Sequence, residues 1–356
     1  RNSSANMNAV HLTLRDSEKI AILSNLCTML TAGIPILDAV DSILEDTKGS
    51  QRHVLETIKK DLHQGKRLST SFATFPRVFD KVTVNLIKAA EEAGTLEITL
   101  KDLRDHIQKE VEFSDRVKFA MIYPTLIFIV FILVLLSILL FVIPKISSVF
   151  SRLRIDLPLP TRILVWVSNQ LITQTWYIVG GLAVITILSI LIYKRYREHI
   201  LNFIFSWPLI SRLVRDIDLT RFSRSMFLLL TSGVPITTAL DLCRDVVIRK
   251  QSSQVIAKSR EMVAAGKRLS EGFRMSRGLF PSILVKLIEA GEKSGSLDKS
   301  MSDISTYMDY QVNNTLKTLT AVMEPVMLVV IGLSVGGMMM AIIAPIYGLI
   351  GKVGGR

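Results

Sequence analysis

Gly65-Lys66 and Gly266-Lys267 are the residues of this chain that come nearest to a nucleotide chemistry. A phosphate loop needs a glycine five positions before the second glycine, so that backbone N–H groups cradle the phosphates. It also needs Ser or Thr after the lysine to reach Mg²⁺. Lys60 and Glu261 stand at the first of these positions, and Arg67 and Arg268 at the last. The pairs read instead as glycines that close helices, with cations placed at the negative helix end. The five histidines, His11, His53, His63, His106 and His199, never fall in metal-ligand spacing. Cys27 and Cys243 each lie among apolar residues at helical spacing, which suits small core residues in a reducing compartment rather than a disulfide framework. No Ser-His-Asp or Cys-His grouping emerges. The expectation is a protein that is not an enzyme, with no catalytic residue, cofactor or metal.

Two kinds of carboxylate remain. Glu324 precedes Pro325 at the mouth of a long uncharged run, and an ionisable group at a membrane edge is a functional candidate. Glu91 and Glu292 precede Gly94-Thr95-Leu96 and Gly295-Ser296-Leu297. That pattern is a helix end, a glycine for positive φ, and a hydroxyl ahead of the next helix. A carboxylate on such a corner can accept a hydrogen bond from a partner or from its own bundle.

These corners occur twice because the chain is written twice. Leu30-Thr31-Ala32-Gly33-Ile34-Pro35-Ile36 returns 200 residues on as Leu230-Thr231-Ser232-Gly233-Val234-Pro235-Ile236. Gly65-Lys66-Arg67-Leu68-Ser69 returns as Gly266-Lys267-Arg268-Leu269-Ser270, and Tyr123-Pro124 aligns with Glu324-Pro325. A repeat this long is a duplicated domain rather than a solenoid unit. Each copy reads as helices only. Ser17 is placed to cap a first helix with Ile20, Leu23, Cys27 and Leu30 at spacings of three to four, stopped by Gly33 and restarted by Pro35. Gly49, Gly65 and Phe75-Pro76 punctuate the next helices, and Asp80 to Ala93 forms another before Gly94. From Glu97 to Tyr123 there is no breaker, so the last helix is expected to run into the bilayer with a kink at Pro124.

Three segments are uncharged: Phe119 to Ile143 (25 residues), Trp176 to Tyr193 (18) and Pro325 to Gly351 (27). About 20 apolar residues cross a hydrocarbon core, so the first and third are ample and the second just sufficient. Lys194, Arg195 and Arg197 follow the second at once, which marks that side as cytoplasmic. The expected layout is an N-terminal tail 1–16, a first cytoplasmic bundle 17–118 and a span 119–144. An extracytoplasmic loop 145–175, a span 176–193 and a second cytoplasmic bundle 194–321 follow. The third span 322–351 and an outer tail 352–356 complete it. The N-terminus is expected in the cytoplasm. Within the outer loop, Leu157 to Thr161 reads as a stiff extended stretch leading into a short apolar helix, either an interfacial helix or a simple spacer. Gly332, Gly336 and Gly337 give the third span a small-xxx-small face for close helix packing, within the chain or between copies of it.

Net charge is +12. Residues 1–121 hold 17 Lys and Arg against 17 Asp and Glu, whereas residues 194–320 hold 20 against 12. A basic second copy beside a membrane suits anionic headgroups or an acidic partner. Nucleic acid is not expected, since no aromatic stacking platform accompanies the charge.

In order and duplication these motifs resemble the GspF/PilC family, the inner-membrane platform proteins of type II secretion and type IV pilus machines. The resemblance runs from about Ser17 to Gly351. The first half supplies Gly33 and Pro35, Gly65 and Ser69, Phe75 and Pro76, Glu91, Gly94, Leu96 and Pro124. The second supplies Gly233 and Pro235, Gly266 and Ser270, Phe280 and Pro281, Glu292, Gly295, Leu297 and Pro325. Ala90 and Ala93 depart from the glycine and serine that Gly291 and Ser294 keep. The resemblance implies an all-α integral membrane protein with two homologous cytoplasmic bundles and three transmembrane helices in the bacterial inner membrane. It also implies a non-catalytic platform coupling a hexameric assembly ATPase to extraction and polymerisation of prepilin or pseudopilin subunits. Other inner-membrane assembly proteins, the lipid bilayer and further copies of the chain would be its remaining partners. The alternative reading is an oligomeric membrane transporter or channel subunit. That reading predicts polar residues or broken helices at a midplane site.

Overall fold

A computed structural model describes residues 12–152, 159–173, 208–276 and 278–353. Among these residues every regular element is helical. The chain divides into two compact units, residues 1–116 with 212–314 and residues 117–211 with 315–356.

The first unit holds both copies. In copy one, α1 is Asp16–Thr31, α2 Ile36–Glu45, α3 Gly49–His63, α4 Leu68–Ala73 and α5 Lys81–Ala93, and α6 begins at Leu96. In copy two, α9 is Pro208–Thr231, α10 Ile236–Cys243, α11 Lys250–Ala264, α12 Leu269–Arg274 and α13 Ser282–Ser294, and α14 begins at Leu297. The helix α1 starts one residue before Ser17. Arg15 is its capping residue, and Glu18 reaches back to accept the Arg15 backbone N–H at 2.8 Å. A carboxylate three residues into the helix thus satisfies the donor that a serine cap leaves open. Gly33 and Gly233 sit at φ +76° and +77°. There the N–H groups of Ile34 and Val234 turn back to Met29 and Leu229, closing α1 and α9 before Pro35 and Pro235 admit the next helix.

Residues of both copies contribute to one continuous hydrophobic core. Its aromatic centres correct one expected correspondence. Phe75-Pro76 is not the counterpart of Phe280-Pro281. The ring stacked on Phe72, 3.9 Å between centroids, is Phe79, and the ring stacked on Phe273, at 4.1 Å, is Phe280. The offset of 201 that relates Phe72 to Phe273 therefore relates Phe79 to Phe280. A shared Phe-Pro dipeptide misleads here because the stacked ring, not the proline, fixes the chain.

The second unit is built on the two long helices. The helix α6 runs Leu96–Ser137 with Pro124 inside it, and leads into a π-helical turn Ile138–Val142 and α7, Ile143–Arg152. The helix α14 runs Leu297–Val353, 57 residues and on the order of 85 Å of rise, through Pro325. Among the described residues, two stretches are long and apolar enough to cross a membrane, within Leu96–Arg152 and Leu297–Ile343. The expected span 176–193 lies outside the described residues. Past the first apolar run the chain stays helical to Arg152. Proline's fixed φ suits a helix, and the π turn before Pro144 absorbs its missing N–H. The helix α8, Leu159–Thr173, begins two residues before Thr161. It packs against α7 and the π turn, so it is not a simple spacer.

Candidate functional site: the repeated corners and the clamp between the copies

Each corner begins with a carboxylate at the end of a helix. Glu91, on α5, accepts the backbone N–H of Leu68 at 2.5 Å and of Ser69 at 3.3 Å, and the Ser69 hydroxyl at 2.5 Å. Glu292, on α13, accepts Leu269 N–H at 2.5 Å and Ser270 N–H at 3.3 Å. Both carboxylates therefore cap a short helix of their own copy, α4 or α12, where free N–H groups and the helix dipole attract an anion. This explains why Leu-Ser follows the Gly65 and Gly266 motifs. Those glycines close α3 and α11 with the N–H of Lys66 bonded to the Asp61 carbonyl and that of Lys267 to the Met262 carbonyl. Gly94 and Gly295, both at φ +69°, then turn the chain into α6 and α14.

The two corners are not identical. Lys66 pairs with Asp61 at 2.7 Å and Arg67 with Glu92 at 3.1 Å. Met262 and Lys293 replace those carboxylates in copy two, where Arg274 and Lys293 instead share Glu289 at 2.7 and 2.8 Å. Lys293 and Arg274 hold the Glu289 carboxyl below the usual range. Gly291 also has a packing reason. A Cβ there would collide with the Ser300 hydroxyl and stand 3.1 Å from Leu297 Cα. Copy one carries Ala90 at the corresponding position.

The remaining sequence candidates are spread out. Pro124, Glu324 and Pro325 lie inside uninterrupted helix, and Glu324 is exposed. A Cβ added at Gly332 or Gly336 meets nothing within 4 Å, so among the described residues that small face packs on no other helix of the chain.

Sequence reasoning missed the clamp that joins the copies. Arg224, on α9, is buried at 9% exposure between the buried Ser223 and Ser225. Its guanidinium lies over the Phe113 ring of α6, 5.4 Å from the centroid. It donates to Glu110 of α6 at 3.2 Å and to Asp309 of α14 at 3.5 Å. Arg221 places a second charge 2.8 Å from Glu110, and Arg116 of α6 forks onto both Asp309 oxygens at 3.0 and 3.1 Å. One arginine of copy two is thereby tied to the outgoing helices of both copies. Arginine suits this position, because its planar fork satisfies two carboxylates while its face stacks on an aromatic ring. None of these residues is repeated. Ala21 and Ser24 stand where Arg221 and Arg224 would in copy one, so alignment of the copies hides the clamp. The available signal was charge interrupting the buried stripe of α9.

Beside the clamp, a cleft of about 570 Å³ between the copies is lined by Phe79, Lys81, His106, Glu110, Arg221 and Asp245. Lys81 and Asp245 bridge its two walls at 2.5 Å. Burial, reinforced by the Arg224 charge, pushes the His106 imidazole down to about 4, so it is neutral at pH 7. Burial raises the Cys243 thiol, which makes it an inert core residue. Among the described residues no group of His, Cys, Asp and Glu is arranged to hold a metal. The site is a set of joints and caps.

Comparison with known proteins agrees with the duplication. The family model for type II secretion system (T2SS), protein F matches twice, over residues 22–144 and 222–345. Type IV pilus assembly protein TapC of Aeromonas hydrophila is 28% identical over 94% of this chain and 82% of its own length. Type IV pilus assembly protein PilC of Pseudomonas aeruginosa is 29% identical over 92% and 89%. Type II secretion system protein F of the same organism is 27% identical over 94% and 83%. With both halves matched and the motif corners built alike in each, the chain belongs to the type II secretion system protein F family, which includes the PilC and TapC pilus assembly proteins.

Proposed function

We propose that this chain is a membrane-embedded platform of a type IV pilus or type II secretion machine. It lies in the bacterial inner membrane with both copies on the cytoplasmic side, at 17–118 and 194–321, and crosses by three spans, 119–144, 176–193 and 322–351. The helical unit receives motion from a hexameric assembly ATPase and passes it to the spans, which help lift a prepilin or pseudopilin onto the filament base. The family's pilus-assembly and secretion members support the machine class. The single observation that carries the coupling is continuity: α6 and α14 each begin at a motif corner and run without a break into an apolar stretch. A helix transmits displacement along its axis because its hydrogen bonds and packing resist bending, whereas a loop would absorb it.

The test is complementation of a strain lacking the chain, with filament assembly and ATPase hydrolysis measured separately. Gly295→Trp puts a bulky side chain where φ is +69° and distorts the corner that starts α14. It is expected to abolish filaments while the motor still hydrolyses ATP. Normal assembly by a chain lacking the second copy's helices would sink the proposal.

A further inference from the structure

The helix α8 carries two buried hydroxyls, on Thr161 and Ser168, exposed by 1% and 0%. They are seven residues apart, two helical turns, and so share one face. Ser168 donates to the Leu139 carbonyl at 2.6 Å, and Thr161 donates to the Ala341 carbonyl. Neither acceptor is arbitrary. In the π turn the Ile143 N–H bonds back five residues to Ile138. In that register the Leu139 carbonyl faces the nitrogen of Pro144, which carries no hydrogen. In α14 the α-helical partner of the Ala341 carbonyl is residue 345, which is also proline. Each hydroxyl thus fills a backbone vacancy created by a proline, one in each apolar helix. In apolar surroundings such a carbonyl must find a donor within the protein.

We propose that α8 is a clasp: through Ser168 and Thr161 it holds the proline-opened ends of both spanning helices to one rod, so that the two ends shift together. Ser168 and Thr161 are positioning residues that act on backbone, and hydrophobic packing alone would not select hydroxyls at these positions. The inference concerns the chain by itself and does not require the platform reading.

The test is a set of melting curves for the full chain in lipid nanodiscs. Ser168→Ala is expected to lower Tm by about 2–4 °C, and Ser168→Thr to restore it. In a Pro144→Ala background the backbone supplies its own donor, so Ser168→Ala should then cost nothing further. Thr161→Val should behave in the same way toward Pro345→Ala. Equal losses with and without the proline would overturn the assignment. A second readout keeps the proposal open to refutation if a proline variant fails to fold. Spin labels at Val149 and Ile343, both exposed, should report one narrow distance in the parent and a broad one in Thr161→Val/Ser168→Ala. An unchanged distance distribution in that folded double variant would rule out the clasp.

Discussion

Glu91 and Glu292 are legible in the sequence as carboxylates on a repeated corner, but which donor each accepts is not. Spacing along a chain gives no distance between α5 and α4, and only the fold brings residue 91 against residues 68 and 69. Because each carboxylate satisfies N–H groups that nothing else reaches, Glu91→Ala and Glu292→Ala should each destabilise the chain by about 1–3 kcal/mol, read by denaturant melting. Gly291→Ala should cost a similar amount, about 1–3 kcal/mol, through overpacking. Ser300→Ala should recover part of it, whereas Ala90 shows that copy one accommodates the methyl. Nothing local in the sequence distinguishes His106, a partly buried imidazole, from a surface one. Its folded pKa lies below the ordinary value of 6.5, so the unfolded chain binds a proton that the folded chain refuses. Stability from this group is complete above about pH 6.5 and is lost as pH falls toward about 4. The groups facing it are Arg224, Asp80 and Lys109. Asp102, Asp216 and Asp218, whose carboxyls burial raises, act in the opposite sense, so the informative quantity is a difference between variants. His106→Gln should flatten the fall in Tm between pH 6.5 and 4.5 relative to the parent, and an unchanged slope would place the imidazole in solvent.

Among elements, helix ends were the most readable features and helix partners the least. Asp80 caps α5, accepting the Thr83 N–H at 2.8 Å, and the helix closes at Gly94, both where capping chemistry places them. The start of α1 lies two residues before the one a Ser17 cap would give, because Glu18 reaches back to the Arg15 N–H and fixes the first turn there. The clamp was invisible because its charges belong to the contact between the copies and not to the motif they share. Arg224→Ala would leave the Glu110 and Asp309 carboxylates without their common buried partner. Arg221 and Arg116 still pair with these carboxylates, so the expected loss is about 1–2 kcal/mol, from the lost hydrogen bonds and the stacking on Phe113. Lys81→Ala removes an exposed bridge across the cleft and should change stability by less than about 1 kcal/mol. Paired melting curves decide whether the copies are held by the buried arginine or by the surface pair. The π turn before Pro144 gave no signal that an apolar run could carry, and the hydroxyls that answer it lie on a separate helix.

For the molecule as a whole, duplication and apolar run length were enough to expect two helical copies and membrane-crossing helices. They could not show that residues from both copies build one core, because a shared core depends on which faces meet. The account rests on both copies lying on the cytoplasmic side, beside the motor, with α6 and α14 leading from them into the bilayer. Lys88 of α5 and Lys286 of α13 are exposed, whereas native Cys27 and Cys243 are buried and should react slowly. The most direct measurement is labelling of Lys88→Cys and Lys286→Cys with a membrane-impermeant thiol reagent, in intact cells and in inverted inner-membrane vesicles. Both positions should stay unlabelled in cells with a permeabilised outer membrane and react fully in the vesicles; labelling of the two from opposite sides would contradict the account.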